Sequence, residues 1–317
     1  MDNSSLQCIN LNSIETRYSE LSSSILRTPT TKLSSPVLRD LIKKSEIYLK
    51  LECFQHSGTF KARGALSVTK QIIKENKKFG ITAASAGNHA IAAAWAAKVE
   101  KLSAKVVMQT SANPFRISLA KTYGAEIIMK EGGLAAFAEA DRLMREENRT
   151  FIHPFDGIDT TLGAAGVGLE LIEDYSDLDA VVVAVGGGGL ISGVAAAVKL
   201  KNNNCKIYGV EPIGANSMAQ SIKVGKPVTL NSIDTIADSL APPMALPFSY
   251  SVCKKFVDEF VTVTDNQICA GLSLFQQEGK LAVEPAAGAV LAGAIWPLRK
   301  KLTGKRIGLV ICGANID

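Results

Sequence analysis

The chain has 317 residues, 47% hydrophobic and 21% charged, with a formal net charge of +5. That balance excludes a disordered, collagenous or coiled-coil chain, and at about 100–200 residues per domain the length suggests two domains or one large α/β unit. The 35 basic residues are scattered in short groups such as Lys43-Lys44 and Arg299-Lys300-Lys301, so no face for nucleic acid is expected.

The first 20 residues lack a basic start followed by an apolar core, so no secretory leader is expected and the chain is read as cytoplasmic. Short β-branched runs then alternate with Ala-rich segments. Strands are predicted over residues 47–51, 81–84, 104–108 and 126–129, with helices over 88–99, 114–123 and 134–148. Further strands are predicted over 180–185, 206–210, 259–263 and 306–311, with helices over 190–201, 265–279 and 285–302. Asp265 is expected to cap its helix and Gly279 to stop it. Continuously apolar strands alternating with helices point to an α/β fold with a largely parallel sheet. The uncharged stretch 180–198 has the length of a membrane span, but its four glycines and following alanines fit a strand, a turn and a buried helix. No membrane partner is expected. Cys8, Cys53, Cys205, Cys253, Cys269 and Cys312 form no CxxC pair and read as reduced thiols.

Four turns carry the chemistry. Lys61 follows Gly58-Thr59-Phe60 and precedes Ala62-Arg63-Gly64-Ala65. A lysine desolvated beside Phe60 is an amine nucleophile, although Lys61 taken alone also fits a solvated surface position. Ser85-Ala86-Gly87-Asn88-His89-Ala90 follows a strand and opens a helix, so its amides suit a carboxylate. Asn88 and His89 equally fit helix capping. Gly186-Gly187-Gly188-Gly189-Leu190-Ile191-Ser192-Gly193 follows the strand at 180–185. Its glycines permit positive φ and close backbone approach, and its amides suit a phosphate. A dinucleotide fingerprint fails because Ser192 stands at the third glycine position. Cys312-Gly313-Ala314-Asn315 follows the last strand, and Cys312 alone reads as a core thiol.

Together SGTFKARGA, SAGNHA, GGGGLISG and CGAN, in that order, resemble the threonine/serine dehydratase (ammonia-lyase) and serine racemase family. His153-Pro154-Phe155-Asp156, Gly209-Val210-Glu211-Pro212 and Val283-Glu284-Pro285-Ala286 extend the resemblance to nearly the whole chain. It implies a fold-type II, tryptophan synthase β-like enzyme dependent on pyridoxal phosphate (PLP). Two open α/β domains then enclose the cofactor: a large domain of residues 1–72 and 157–317, and a small one of 73–156. Lys61 is implied to form the Schiff base, Phe60 to pack on the ring and Asn88 to bond the ring hydroxyl. Gly186, Gly187, Gly188, Gly189 and Leu190 are implied to cradle the phosphate. Cys312 is implied to face the ring nitrogen. Ser85, Ala86, Gly87, Asn88 and His89 would hold the substrate carboxylate, chiefly through Ser85 and backbone amides. The reaction implied is β-elimination from L-threonine or L-serine to a 2-keto acid and ammonia. A homodimer is common in the group. With the last motif close to Asp317, the C-terminal regulatory domain of longer biosynthetic threonine dehydratases is expected to be absent.

Several positions depart from the family. Racemases carry a serine where this chain has Ala86, so the second base of racemisation is missing and a dehydratase is expected. Serine racemisation and 3-hydroxyaspartate dehydration are alternatives within the same family. β-Replacement enzymes carry threonine where this chain has His89. A PLP-binding protein without turnover is the alternative outside enzymes. Some members bind a divalent cation at positions matched by Glu211, Ala215 and Ser217, but Ser217 replaces the second acid, which leaves one carboxylate for a hard cation. Ser239 stands where a substrate-facing loop often has glycine, and Pro242 and Pro243 stiffen the end of that stretch.

Overall fold

The structure is a computed structural model that describes residues 6–77 and 79–316. Residues 1–5, 78 and 317, which fall within the expected domain limits, lie outside the described residues. Ten strands form two sheets among the described residues. They are β1 (Thr30–Leu33), β2 (Glu46–Lys50), β3 (Ile81–Ala84), β4 (Ala104–Gln109) and β5 (Glu126–Lys130), then β6 (Thr150–Phe151), β7 (Ala180–Ala184), β8 (Lys206–Pro212), β9 (Glu259–Val263) and β10 (Arg306–Val310).

The larger sheet runs β1-β2-β10-β7-β8-β9, parallel except for β1, which pairs antiparallel with β2. The smaller sheet runs β5-β4-β3-β6 and is parallel throughout. The apolar runs at 180–184 and 81–84 are buried at every residue, as strands covered on both faces must be.

Each sheet has a point where strand order reverses, and ligands of open α/β sheets bind beyond the strand ends there. In the larger sheet it lies between β7 and β10, whose ends lead to Gly186 and Cys312. In the smaller it lies between β3 and β6, whose ends lead to Ser85 and His153. All four turns singled out from chemistry adjoin these two reversals or the end of β2.

Small residues let the layers approach. Helices Ile158–Asp174 and Gly189–Lys201 pack through glycine: a Cβ on Gly168 would lie 2.6 Å from the Val194 carbonyl, and one on Gly193 would lie 2.5 Å from the Ala165 nitrogen. Helix Asn88–Val99 is buried from Asn88 through Ala97, and six of those ten residues are alanine, which lets it pack closely on its neighbours.

Two expected helix signals are corrected. Thr264, not Asp265, is the N-cap, with a reciprocal capping box to Gln267. Asp265 instead accepts from Thr235 Oγ1 at 2.8 Å and Ile236 N at 2.9 Å. Gly279 closes a π turn, and Lys280 takes the left-handed conformation, with φ 55°. The helix expected over 285–302 is two, Pro285–Ile295 and Arg299–Leu302, broken where Trp296 leaves helical dihedrals.

Candidate active site

Lys61 begins the helix Lys61–Lys74. The segment before it is zipped to the chain after β10. Phe60 N donates to the Cys312 carbonyl, and Ala314 N to the Gly58 carbonyl, both at 3.0 Å. Ser57 and Gly58 turn the chain with φ of 62° and 70°. Lys61 Nζ donates to the Pro154 carbonyl at 3.0 Å and stands 5.1 Å from the Phe60 ring centre. Desolvation pulls its amine down to about 8, against the opposing pull of Glu284 and Cys312.

His89 and His153 line a small cavity beside Lys61 with Pro154 and Thr160. Burial, seconded by the Lys61 charge, pushes His89 down to about 3. Burial also pushes His153 down to about 4. Two neutral imidazoles therefore face the amine near neutral pH. His89 Nε2 lies 2.7 Å from the Ile152 carbonyl, so that nitrogen carries the proton. His153 Nδ1 accepts from Phe155 N at 3.3 Å and Asp156 N at 2.9 Å, so its proton is on Nε2.

The same 153–156 turn reaches the glycine loop. A Cβ on Gly187 would lie 2.2 Å from the Phe155 ring, and one on Gly189 would lie 2.6 Å from the Phe155 carbonyl. Gly188 is left-handed, with φ +92°, and precedes the helix Gly189–Lys201. A Cβ on Gly186 would press the Ser239 carbonyl at 3.0 Å. Leu190 is buried in the first turn of that helix, whose leading N–H groups have no intrahelical acceptor. A loop with no space for side chains, bare helix-start amides and a desolvated lysine fits PLP.

In the second turn Ser85 Oγ accepts from Gly87 N at 3.2 Å. Asn88 and His89 do not cap the helix; Gly87 occupies the N-cap position, with no side-chain cap. The His89 ring is committed to Ile152, so its backbone amide is what remains for the expected carboxylate role. Arg116 packs over this turn, since a Cβ on Gly87 would lie 2.9 Å from its Nη1. That nitrogen donates to Asp238 Oδ2 at 2.7 Å, and Nη2 donates to the Asn315 carbonyl at 3.1 Å.

Glu284, which the sequence presents only as part of a motif, sits among the expected ring contacts. Asn88 Nδ2 donates to its Oε2 at 2.7 Å, and Cys312 Sγ lies 3.7 Å from its Oε1. Burial raises the Glu284 carboxyl against the Asn88 hydrogen bond, and burial raises the Cys312 thiol well above its ordinary value. Glutamate before proline marks a helix start; nothing local in the sequence points it toward Asn88, 196 residues away.

The three positions weighed for a cation lie around the start of one helix. Glu211 is fully buried, and its two oxygens accept from Met218 N at 2.9 Å and Ala219 N at 2.7 Å. It thus caps the helix Ser217–Val224, with Ala215 in the preceding 3-10 turn and Ser217 as the first helical residue. Burial pushes its carboxyl up to about 8. Among the described residues no group of three or more His, Cys, Asp or Glu is placed to hold a metal, and no helix is long and apolar enough to cross a membrane.

Residues 21–313 match the family model of pyridoxal-phosphate dependent enzymes, and the chain belongs to that family. A phenylserine dehydratase of Ralstonia pickettii is 44% identical over 86% of this chain and 83% of its own length. An L-threonine ammonia-lyase of Thermotoga maritima is 36% identical over 86% of this chain and 68% of its own length. The solved structure of maize serine racemase superposes with a TM-score of 0.91 at 32% identity, covering 97% of this chain and 94% of that one. The fold is the fold-type II arrangement expected from the four turns, in a family with ammonia-lyase and racemase members.

Proposed function

We propose that the protein is an ammonia-lyase that eliminates the β-hydroxyl of L-threonine, L-serine or both, releasing a 2-keto acid and ammonia. The observation that carries this reading is the Lys61 amine, lowered to about 8 by desolvation and aimed at the turn that packs on the glycine loop. Bound PLP supplies an electron sink for the pair left when the substrate loses its α-proton. Lys61 Nζ would hold the cofactor, and its neutral amine would serve as the base that takes that proton.

The amides of Gly186, Gly187, Gly188, Gly189 and Leu190 hold the phosphate, and Phe60 packs on the ring. Cys312, its thiol held protonated by burial, would face the ring nitrogen, and Asn88 would serve the ring hydroxyl. A neutral partner such as this thiol would leave that nitrogen without a charged counter-group, which suits elimination. Ser85 and the amides of Ala86, Gly87, Asn88 and His89 hold the carboxylate. Ala86 has no proton to return on the face opposite Lys61, which supports elimination over racemisation. We take residues 73–156 as a small domain that closes over substrate and excludes water.

A second reading, favoured by the 44% identical phenylserine dehydratase, places an aryl group on the β-carbon of the substrate. The PLP-loaded protein is assayed for keto acid and ammonia with L-threonine, L-serine, 3-hydroxyaspartate and phenylserine. The highest kcat/KM with threonine or serine supports the first reading. A value at least about tenfold higher with phenylserine, some 1.4 kcal/mol of transition-state binding, supports the second. Colour without product from any of them would leave a PLP-binding protein without turnover.

A further inference from the structure

Glu284 is a carboxyl group only 4% exposed, and the proposed reaction does not use it. Its Oε2 takes the Asn88 amide at 2.7 Å. Its Oε1 takes Ser239 Oγ at 3.4 Å and faces Cys312 Sγ at 3.7 Å. Gly313 leaves the room, since a Cβ there would lie 2.7 Å from Oε2. On its other side Asn88 Oδ1 accepts from Asn315 Nδ2 at 2.8 Å, and that nitrogen also reaches the Ser57 carbonyl at 2.8 Å. The Asn88 amide therefore has one workable orientation. Reversed, it would set an oxygen against the carboxyl group and an NH2 against an NH2, losing both hydrogen bonds.

We propose that Glu284 is a positioning residue that fixes the amide polarity of Asn88 and the direction of the Cys312 thiol, the two groups read as ring contacts, and ties them through Ser239 to the loop at 237–243. The inference rests on the PLP reading of the site and assigns it a residue that acts through others. The Ser239 link belongs to this chain, because the resemblance places glycine at that position. The groups that bear electrostatically on Glu284 are Asp238, Lys61 and Cys312, and the first and second oppose each other.

The test compares wild type, Glu284→Gln, Asn88→Asp and the double variant. The apoproteins are titrated with PLP, the pH midpoint of the bound cofactor's visible band is followed, and each apoprotein is melted. Glu284→Gln is expected to weaken PLP binding about tenfold, the scale of one buried hydrogen bond, and to move the pH midpoint. In the double variant the amide introduced at position 284 can donate to the carboxylate introduced at position 88, so PLP should bind about tenfold more tightly than to Asn88→Asp alone. Binding within twofold of wild type at an unchanged midpoint overturns the proposal, as does a double variant no better than Asn88→Asp. If the melt shows that Glu284→Gln does not fold, Glu284→Asp keeps the carboxyl group and shortens the reach; PLP binding equal to wild type there also overturns it. Failure of the underlying reading looks different: wild type would show no visible band with PLP, or Lys61→Ala would keep it.

Discussion

The Arg63 guanidinium meets the Glu170 carboxylate in two hydrogen bonds, Nη1 to Oε1 at 2.8 Å and Nη2 to Oε2 at 2.9 Å, with both side chains fully buried. Glu52 takes the other edge of Arg63, and Lys50 donates to Glu170, so two cations and two anions close a neutral cluster behind Lys61. Neutrality is what makes such burial tolerable; removing one partner strands charge in a low dielectric. Glu170→Gln should cost about 3–5 kcal/mol, read from urea denaturation of the apoprotein. An unchanged midpoint would show that the cluster is not holding this helix.

The glycine loop is a packing requirement as well as a ligand cradle. Gly187→Ala drives a methyl group into the Phe155 ring, so the ring and the turn that holds Lys61 must move. The expected result is a loss of about 1–3 kcal/mol in apoprotein stability together with weaker PLP binding. A variant with wild-type melting and affinity would mean that Phe155 yields freely.

The Lys61 amine sets two pH dependences. Capture of PLP needs the neutral amine, so its rate in the apoprotein should climb as pH rises through about 8. Folded Lys61 gives up its proton near 8 and an unfolded lysine near 10.5. Between those values the unfolded chain binds more protons, so this group makes stability rise with pH across that window. Lys61→Met should flatten both the capture profile and that part of the stability curve. Parallel curves for the two proteins would contradict the lowered value.

Ala86→Ser restores a hydroxyl on the face opposite Lys61. Release of D-serine from L-serine is expected in this variant, at a level above that of wild type, measured with a D-amino-acid oxidase assay. No gain of D-serine would remove Ala86 as the reason for preferring elimination.

The site's reactive turns are legible in the sequence because each announces itself locally: a lysine after Gly-Thr-Phe, four glycines after Val185, a cysteine after an apolar strand. The residues that arrange those turns are not. Glu284 meets Asn88 across 196 positions, and Arg116 meets Asp238 across 122. Pairings at such separation exist only once the strands are ordered. The helix Ile158–Asp174 escapes sequence reasoning for a related reason. Its glycines at 163, 166 and 168 lower the intrinsic helix preference of that stretch, yet they serve close packing: a Cβ on Gly163 would lie 2.5 Å from the Arg63 carbonyl. β1 escapes it because Thr-Thr-Lys-Leu carries little apolar signal, and it lies at an exposed, antiparallel edge.

The central claim is that Lys61 carries both the cofactor and the proton transfer. The direct test loads wild type and Lys61→Ala with PLP, dialyses both, and measures visible absorbance with keto acid and ammonia released from L-threonine and L-serine. Wild type should stay coloured and release both products in equal amounts, and Lys61→Ala should lose the colour and release neither. Retained colour with turnover in Lys61→Ala would contradict the account.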